Sequence, residues 1–210
     1  MPDAIFLTHA HIGHYAGLLY LGKEALGANR VPVYAMPRMR AFLRQNGPWS
    51  QLVQDSNIVL RQLRDQEPVI LPQQITVTPL RVPHRDEYSE TVGYRIEGPR
   101  KAALFIPDID KWSSWERRIE DEIRKVDYAF LDATFYSGTE LDNRDMRDIP
   151  HPFVLESMQR FQSLPAVERE KIIFIHLNHT NPILDPNSRE SQQVLQAGFQ
   201  IGRTGQVFPL

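Results

Sequence analysis

The chain has 210 residues, 41% hydrophobic and 24% charged, with 24 basic against 26 acidic side chains and a net charge of −2. That balance suits a soluble globular chain with a core of ordinary size, and it leaves no basic stripe for a nucleic-acid partner. Cysteine is absent, which excludes disulfides and thiolate metal sites and leaves His, Asp, Glu and backbone oxygen as metal donors.

Taken in chain order, the apolar run AIFLT (4–8) predicts a buried strand, and 15–26 predicts a helix stopped by Gly27. A strand over 31–36 leads into a short helix over 37–47, with Pro37 at its start and Gly47 at its end. Residues 58–63 and 74–82 read as strands, the second alternating as a half-buried strand does. Segments 90–98 and 101–107 predict a hairpin around Gly98 and Pro99. A charged helix is predicted over 113–126, capped by Ser113 or Ser114 ahead of Glu116. Strands over 128–134 and 171–176 flank a loop and a helical segment over 151–164. A helix over 188–198 and a strand over 199–210 close the chain. Short apolar runs alternating with amphipathic segments, without repeats or linkers, predict one α/β domain over 1–210. No apolar run approaches the roughly 20 residues that cross a bilayer, and no secretory signal is legible at the N-terminus. The expectation is a cytoplasmic protein with no membrane partner.

Five apolar runs end on a residue able to bind metal: His9, His84, Asp108, Asp132 and His176. In α/β sheets functional groups gather beyond the carboxyl ends of strands, where loops are free and the sheet is rigid. The densest signal is HAHIGH (9–14), which holds three of the seven histidines. His9 and His11 are two apart, so in extended backbone both rings leave on one face. His14 follows near the start of the next helix and can return to the same point. Converging imidazoles form the core of open catalytic zinc sites. The alternative is a solvated histidine-rich turn, and the flanking runs are too apolar for it.

THAHIGHYAGL (8–18) resembles the first motif of the metallo-β-lactamase superfamily, His-x-His-x-Asp-His between a strand and a helix. In order along the chain, His84 resembles the histidine of the third motif, Asp108 the aspartate of the fourth that bridges two metals, and His176 the histidine of the fifth. DYAFLDATFYSGTEL (127–141), the segment around His151, and IFIHLNHTNPILDPNS (173–188) are similar in sequence and order to the pyrroloquinoline-quinone biosynthesis protein B branch. Related phosphodiesterases and tRNA 3′-processing endonucleases share the metal motifs alone. The resemblance implies a four-layer αβ/βα sandwich, here lacking the first strands, because only seven residues precede Thr8. It implies a metal site of His9, His11, His84 and bridging Asp108, and a second of His14, Asp108 and His176 with His179 in reserve. Zinc is the expected metal, one ion or two, with manganese or iron as alternatives. Asp132 and His151 would face the pocket as catalytic residues beside Asp108, and Asn178, Thr180 or Asn181 could donate to an oxyanion.

Gly13 stands where the family motif has a metal-binding aspartate. It is either a backbone requirement, since glycine adopts angles other residues resist, or a lost ligand, which predicts a strong first site and a weak or empty second. Two functions follow. The first is a metal-dependent hydrolase of an ester, lactone or phosphodiester in a small-molecule substrate. The second is a non-hydrolytic cofactor-biosynthesis or binding protein on the same fold. An open sheet edge beside residues 4–8 adds the expectation of a homodimer.

Overall fold

The structure is a computed structural model that describes residues 1–141, 145–146 and 149–210. Its chain divides into two compact units, one of residues 1–67, 79–81 and 85–92, the other of residues 68–78, 82–84 and 93–210.

The first unit holds a parallel sheet ordered β1-β2-β3, with β1 Ile5–Phe6, β2 Val31–Ala35 and β3 Ile58–Gln62. β2 alternates as a half-covered strand does, with Val31, Val33 and Ala35 buried. Those side chains join Leu18, Leu21, Met39, Leu43 and Ile58 in the core of this unit. Met39 and Leu43, four apart on helix α2 (Pro37–Gln45), form its buried stripe. The helix expected over 15–26 begins earlier and ends sooner: α1 (Ile12–Tyr15) tightens into a 3₁₀ turn over Ala16–Leu21. Gly17 weakens the α-helix, and Gly22 takes an extended conformation (φ −62°, ψ 164°) that ends it. Helix α3 (Trp49–Gln54) lies beyond the sequence expectations, because Gly47-Pro48 reads as a stop while Pro48 serves as the residue before a new helix.

The second unit carries a seven-stranded sheet ordered β10-β9-β8-β7-β6-β5-β4, apart from residues 79–81 and Val92, which cluster with the first unit. The strands are β4 Val69–Leu71, β5 Ile75–Arg81, β6 Val92–Glu97, β7 Ala102–Ile106, β8 Tyr128–Asp132, β9 Ile172–Ile175 and β10 Gln200–Ile201. The expected hairpin is β6 and β7, antiparallel, with Glu97 opposite Ala102 and Gly98 N–H donating to the Lys101 carbonyl at 2.9 Å. β7 to β10 run parallel. Their runs AALFI, YAFLD and IIFI are almost continuously apolar, as strands covered on both faces must be. Register sets Ile106 opposite Leu131 and Asp132 opposite Ile175, so Asp108, Asp132 and His176 all lie at one edge, beyond the carboxyl ends.

The helix expected over 113–126 shrinks to α4 (Ile119–Ile123), whose N-cap is Arg118 rather than a serine. Trp112 and Trp115 are both buried, and Trp112 Nε1 donates to Ser157 Oγ at 2.8 Å. Anchoring both indoles leaves Trp112–Ser114 as a 3₁₀ turn and Trp115 extended. The helical segment expected over 151–164 is α5 (Val154–Phe161), and the one over 188–198 is α7 (Arg189–Gln196), capped by Ser188 Oγ accepting from Ser191 N–H. Short α6 (Ala166–Arg169) and β4 escape a period-based reading, and the terminal strand is two residues rather than twelve.

Gly93 in β6 marks a close approach. A Cβ there would sit 2.7 Å from Ile106 Cγ1 and 2.8 Å from the Phe105 carbonyl oxygen. Gly93→Ala should therefore destabilise by about 1–3 kcal/mol through overpacking, read as a lower urea midpoint. An unchanged midpoint would show that β6 and β7 separate easily there.

Candidate metal centre

In the first unit, backbone pairing continues past β1, with Leu7 N–H donating to the Tyr34 carbonyl and Val92 N–H to that of Thr8. The chain then turns into α1 with His11 as N-cap in extended conformation (φ −87°, ψ 137°). The three imidazoles gather as the motif implies. His9 Nε2 lies 2.8 Å from His11 Nδ1, and the His9 and His14 ring centroids are 4.3 Å apart. Thr8 Oγ1 is 3.1 Å from His9 Nδ1, and Glu87 Oε2 is 3.1 Å from His11 Nε2. Two ring nitrogens that face each other this closely repel unless a proton or a cation lies between them, so the cluster fits a metal.

Glu87 belongs to a pinned segment. Arg38 Nη2 donates to the carbonyls of Asp86 (2.7 Å) and Glu87 (3.2 Å), and Ala10 N–H donates to Ser89 Oγ at 2.8 Å. Sequence reasoning missed Glu87. The signal was the acidic run RDEYSE directly after His84.

Gly13 lies inside α1 without a left-handed φ, and a Cβ there meets nothing within 4 Å. The backbone at position 13 therefore does not require glycine, because the φ and Cβ of an L-residue are both accommodated there.

In the second unit, His84 is held between two carboxylates. Its Nε2 is 3.2 Å from Asp108 Oδ1, and its Nδ1 is 3.0 Å from Asp110 Oδ1. His151 Nδ1 lies 2.8 Å from Asp132 Oδ2 and 3.2 Å from Asp108 Oδ1. Asp132, fully buried at the end of β8, also accepts from Ile109 N–H, Thr134 N–H and Thr134 Oγ1. Thr134 Oγ1 reaches His176 Nδ1 at 2.9 Å. His176 itself has φ +62°, a left-handed conformation that few residues other than glycine adopt. Asp108, Asp132 and His151 each present a ligand atom within 4.8 Å of the others. Two carboxylates and an imidazole suit zinc, manganese or iron.

Other sequence candidates fare differently. His179 is exposed and, among the described residues, joins no such cluster. The Asn181 amide is consumed structurally, donating to the Ala133 and Thr134 carbonyls and accepting from Ile183 N–H. Asn178 Nδ2 donates to Thr180 Oγ1 at 2.6 Å, a bond that closes its own turn. Thus His9, His11 and His14 gather in one unit, and His84, Asp108, Asp132, His151 and His176 in the other.

Electrostatics bind the second group. Burial pushes the Asp132 carboxyl up, but the hydrogen bond from His151 and the neighbouring His176 outweigh it and hold it well below the usual carboxylate range. Burial pushes His151 and His176 down, and Asp132, with Asp108 behind it, lifts both above the usual imidazole value. A depressed carboxyl stabilises above its unfolded pKa of about 3.9 and loses that contribution as pH falls. A raised imidazole stabilises below about 6.5 and loses that contribution as pH rises through its folded value. Metal-free protein should therefore be most resistant to urea between about pH 4 and 6.5. Asp132→Asn should flatten both limbs of that curve, and a variant curve that keeps both would detach Asp132 from the effect.

Residues 1–177 match the family described as beta-lactamase superfamily domain. Coenzyme PQQ synthesis protein B from Gluconobacter oxydans is 28% identical over 126 residues, 58% of this chain and 40% of that protein's length. Its namesake from Methylorubrum extorquens is 25% identical over 234 residues, 99% of this chain and 73% of that one. The crystal structure of Zn²⁺-bound PqqB from Methylobacterium extorquens superposes with a TM-score of 0.82 at 22% identity, over 99% of this chain and 73% of that chain. That superposition shows the metallo-β-lactamase fold, and with the family match over most of its length the chain belongs to the metallo-β-lactamase superfamily.

Proposed function

We propose that the chain is a zinc-dependent hydrolase of an ester, lactone or phosphodiester-type bond in a small-molecule substrate. The observation that carries this reading is the buried Asp132–His151 pair beside Asp108. His9, His11, His14, His84, Asp108 and His176 are the proposed ligands, for one ion or two. The imidazole-rich donor set favours zinc or iron over manganese, and the zinc-bound relative supports zinc. A zinc ion supplies Lewis-acid polarisation of the substrate oxygen and acidifies water at neutral pH.

The chain's own groups do the rest. Asp132 accepts from His151 Nδ1 and so fixes the ring, which leaves Nε2 to serve the reaction. Asp132 lifts the His151 pKa, which favours the protonated ring, and His151 delivers that proton from Nε2 to the departing oxygen as the C–O or P–O bond breaks. The attacking water gives its oxygen to the new bond and its proton replaces the one His151 delivered. Asp108, within reach of both His84 and His151, accepts a hydrogen bond that orients that water.

A second reading, a non-hydrolytic member in quinone-cofactor biosynthesis, is favoured by Gly13 and by the names of the relatives. Metal content and turnover separate the two. Zinc-loaded protein that cleaves a chromogenic phosphodiester or ester, with His151→Ala slowing it about 10²–10⁴-fold, supports the hydrolase. Tightly held zinc without turnover of either substrate supports the second reading.

Gly13→Asp tests the lost ligand. The position has room, and a carboxylate there adds charge beside the imidazoles. Zinc titration under identical buffer should show a second ion bound more tightly by the variant than by the parent. Equal stoichiometry and affinity would mean that position 13 never served a second site.

A further inference from the structure

Each of two proposed ligand imidazoles has a carboxylate behind it that is not itself a proposed ligand. A neutral imidazole has one N–H and one lone pair, and an ionised carboxylate accepts only. A carboxylate at one ring nitrogen therefore holds the proton there and leaves the other nitrogen as the donor to a metal. We propose that Asp110 and Glu87 are positioning residues that fix His84 as an Nε2 ligand and His11 as an Nδ1 ligand. This rests on the metal-binding reading above and adds which residues of this chain select the binding nitrogens.

His84 has carboxylates on both sides, so the assignment turns on which is the spectator. Asp108 Oδ1, near Nε2, also lies 3.2 Å from His151 Nδ1 and belongs to the trio of converging ligand atoms. Among the described residues, Asp110 belongs to no such cluster. Its own N–H donates to the Pro83 carbonyl at 2.8 Å, which locks it beside the residue preceding His84. With the His84 side chain fully buried, the ring cannot trade this partner for water. Asp110 thus takes the Nδ1 proton, and Nε2 turns toward Asp108.

His11 shows the opposite hand. Its Nε2 meets Glu87 Oε2 at 3.1 Å, so the remaining nitrogen is Nδ1, which faces His9 Nε2 at 2.8 Å. Thr8 Oγ1 lies 3.1 Å from His9 Nδ1, where a hydroxyl can accept from that nitrogen or donate to it. With a metal between them and both outer nitrogens protonated, the inner two would offer their lone pairs to it. Arg38, by gripping the Asp86 and Glu87 carbonyls, keeps Glu87 in place. The two carboxylates differ in strength. Glu87 has 49% of its side chain exposed against 27% for Asp110, so water competes more for Glu87.

The test is a pair of measurements on the intact chain. Long-range ¹⁵N spectra of the imidazoles in metal-free protein, taken at a pH where the rings are neutral, should show His84 as the Nδ1–H tautomer and His11 as the Nε2–H tautomer. Zinc titration against a chromophoric chelator should show Asp110→Ala weakening binding about 10–100-fold and Glu87→Ala near the lower end of that range. Asp110→Asn, whose side-chain carbonyl still accepts from Nδ1–H, should recover most of the loss, and a merely structural role would not give that rescue. The opposite tautomers, or alanine variants that bind zinc as tightly as the parent, would overturn the proposal. A parent that binds no zinc would overturn the hydrolase reading instead, and the metal-free spectra would still decide the tautomers.

Discussion

The buried carboxylate of Asp132 is the constraint around which the second unit is arranged. An ionised carboxylate with no exposed surface costs several kcal/mol unless it is paired and hydrogen-bonded. Here the compensation comes from Ile109 after β7, Thr134 after β8, His151 from the following loop, and His176 beyond β9 through Thr134. One charge thereby specifies the conformation of four chain segments. The left-handed backbone at His176 belongs to the same accounting, since the bond from its ring to Thr134 is one interaction that offsets a disfavoured φ.

That arrangement needs a rigid base, and the strand composition provides it. β7, β8 and β9 bury Leu104, Ile106, Leu131, Ile172 and Phe174 almost completely, so each strand is fixed by packing on both faces. Their parallel register brings the ends level, and the polar residues just past those ends meet without further design. In the first unit the same logic operates at smaller scale: a short parallel sheet ends, the chain turns at His11, and α1 returns His14 to the group.

This explains which parts were legible in the sequence. Strand-end candidates could be read because an apolar run followed by His or Asp is a local pattern, and the local pattern is also the structural cause. The charged segment 113–126 misled because its charges have a helical look, while two distant-packing tryptophans decide its shape. Asp110 and Glu87 were invisible for a related reason. Each lies two or three residues from a proposed ligand on its own segment, Asp108 or His84, and an acidic residue there reads as ordinary surface charge. Their roles arise from contacts 26 and 76 positions away in sequence. Asn181 erred in the other direction: a polar residue in a motif-like stretch is committed to holding the loop after β9 onto Ala133 and Thr134.

The two groups also differ in charge, and this bears on what each would hold. The first unit's cluster is three imidazoles, neutral when they act as donors, with Glu87 set behind one of them. The second unit's cluster includes Asp108 and Asp132, the Asp132 carboxyl held well below the usual carboxylate range, with Asp110 set behind His84. Neutral nitrogens discriminate among cations by softness and geometry, whereas carboxylates attract hard cations by charge. An aspartate at position 13 would place a charged donor among the imidazoles, and glycine leaves that cluster purely nitrogenous. The absent side chain therefore changes more than a ligand count. It leaves the first unit with three rings whose use depends on how they are aimed, and Glu87 beside His11 Nε2 is one of the contacts that aims them.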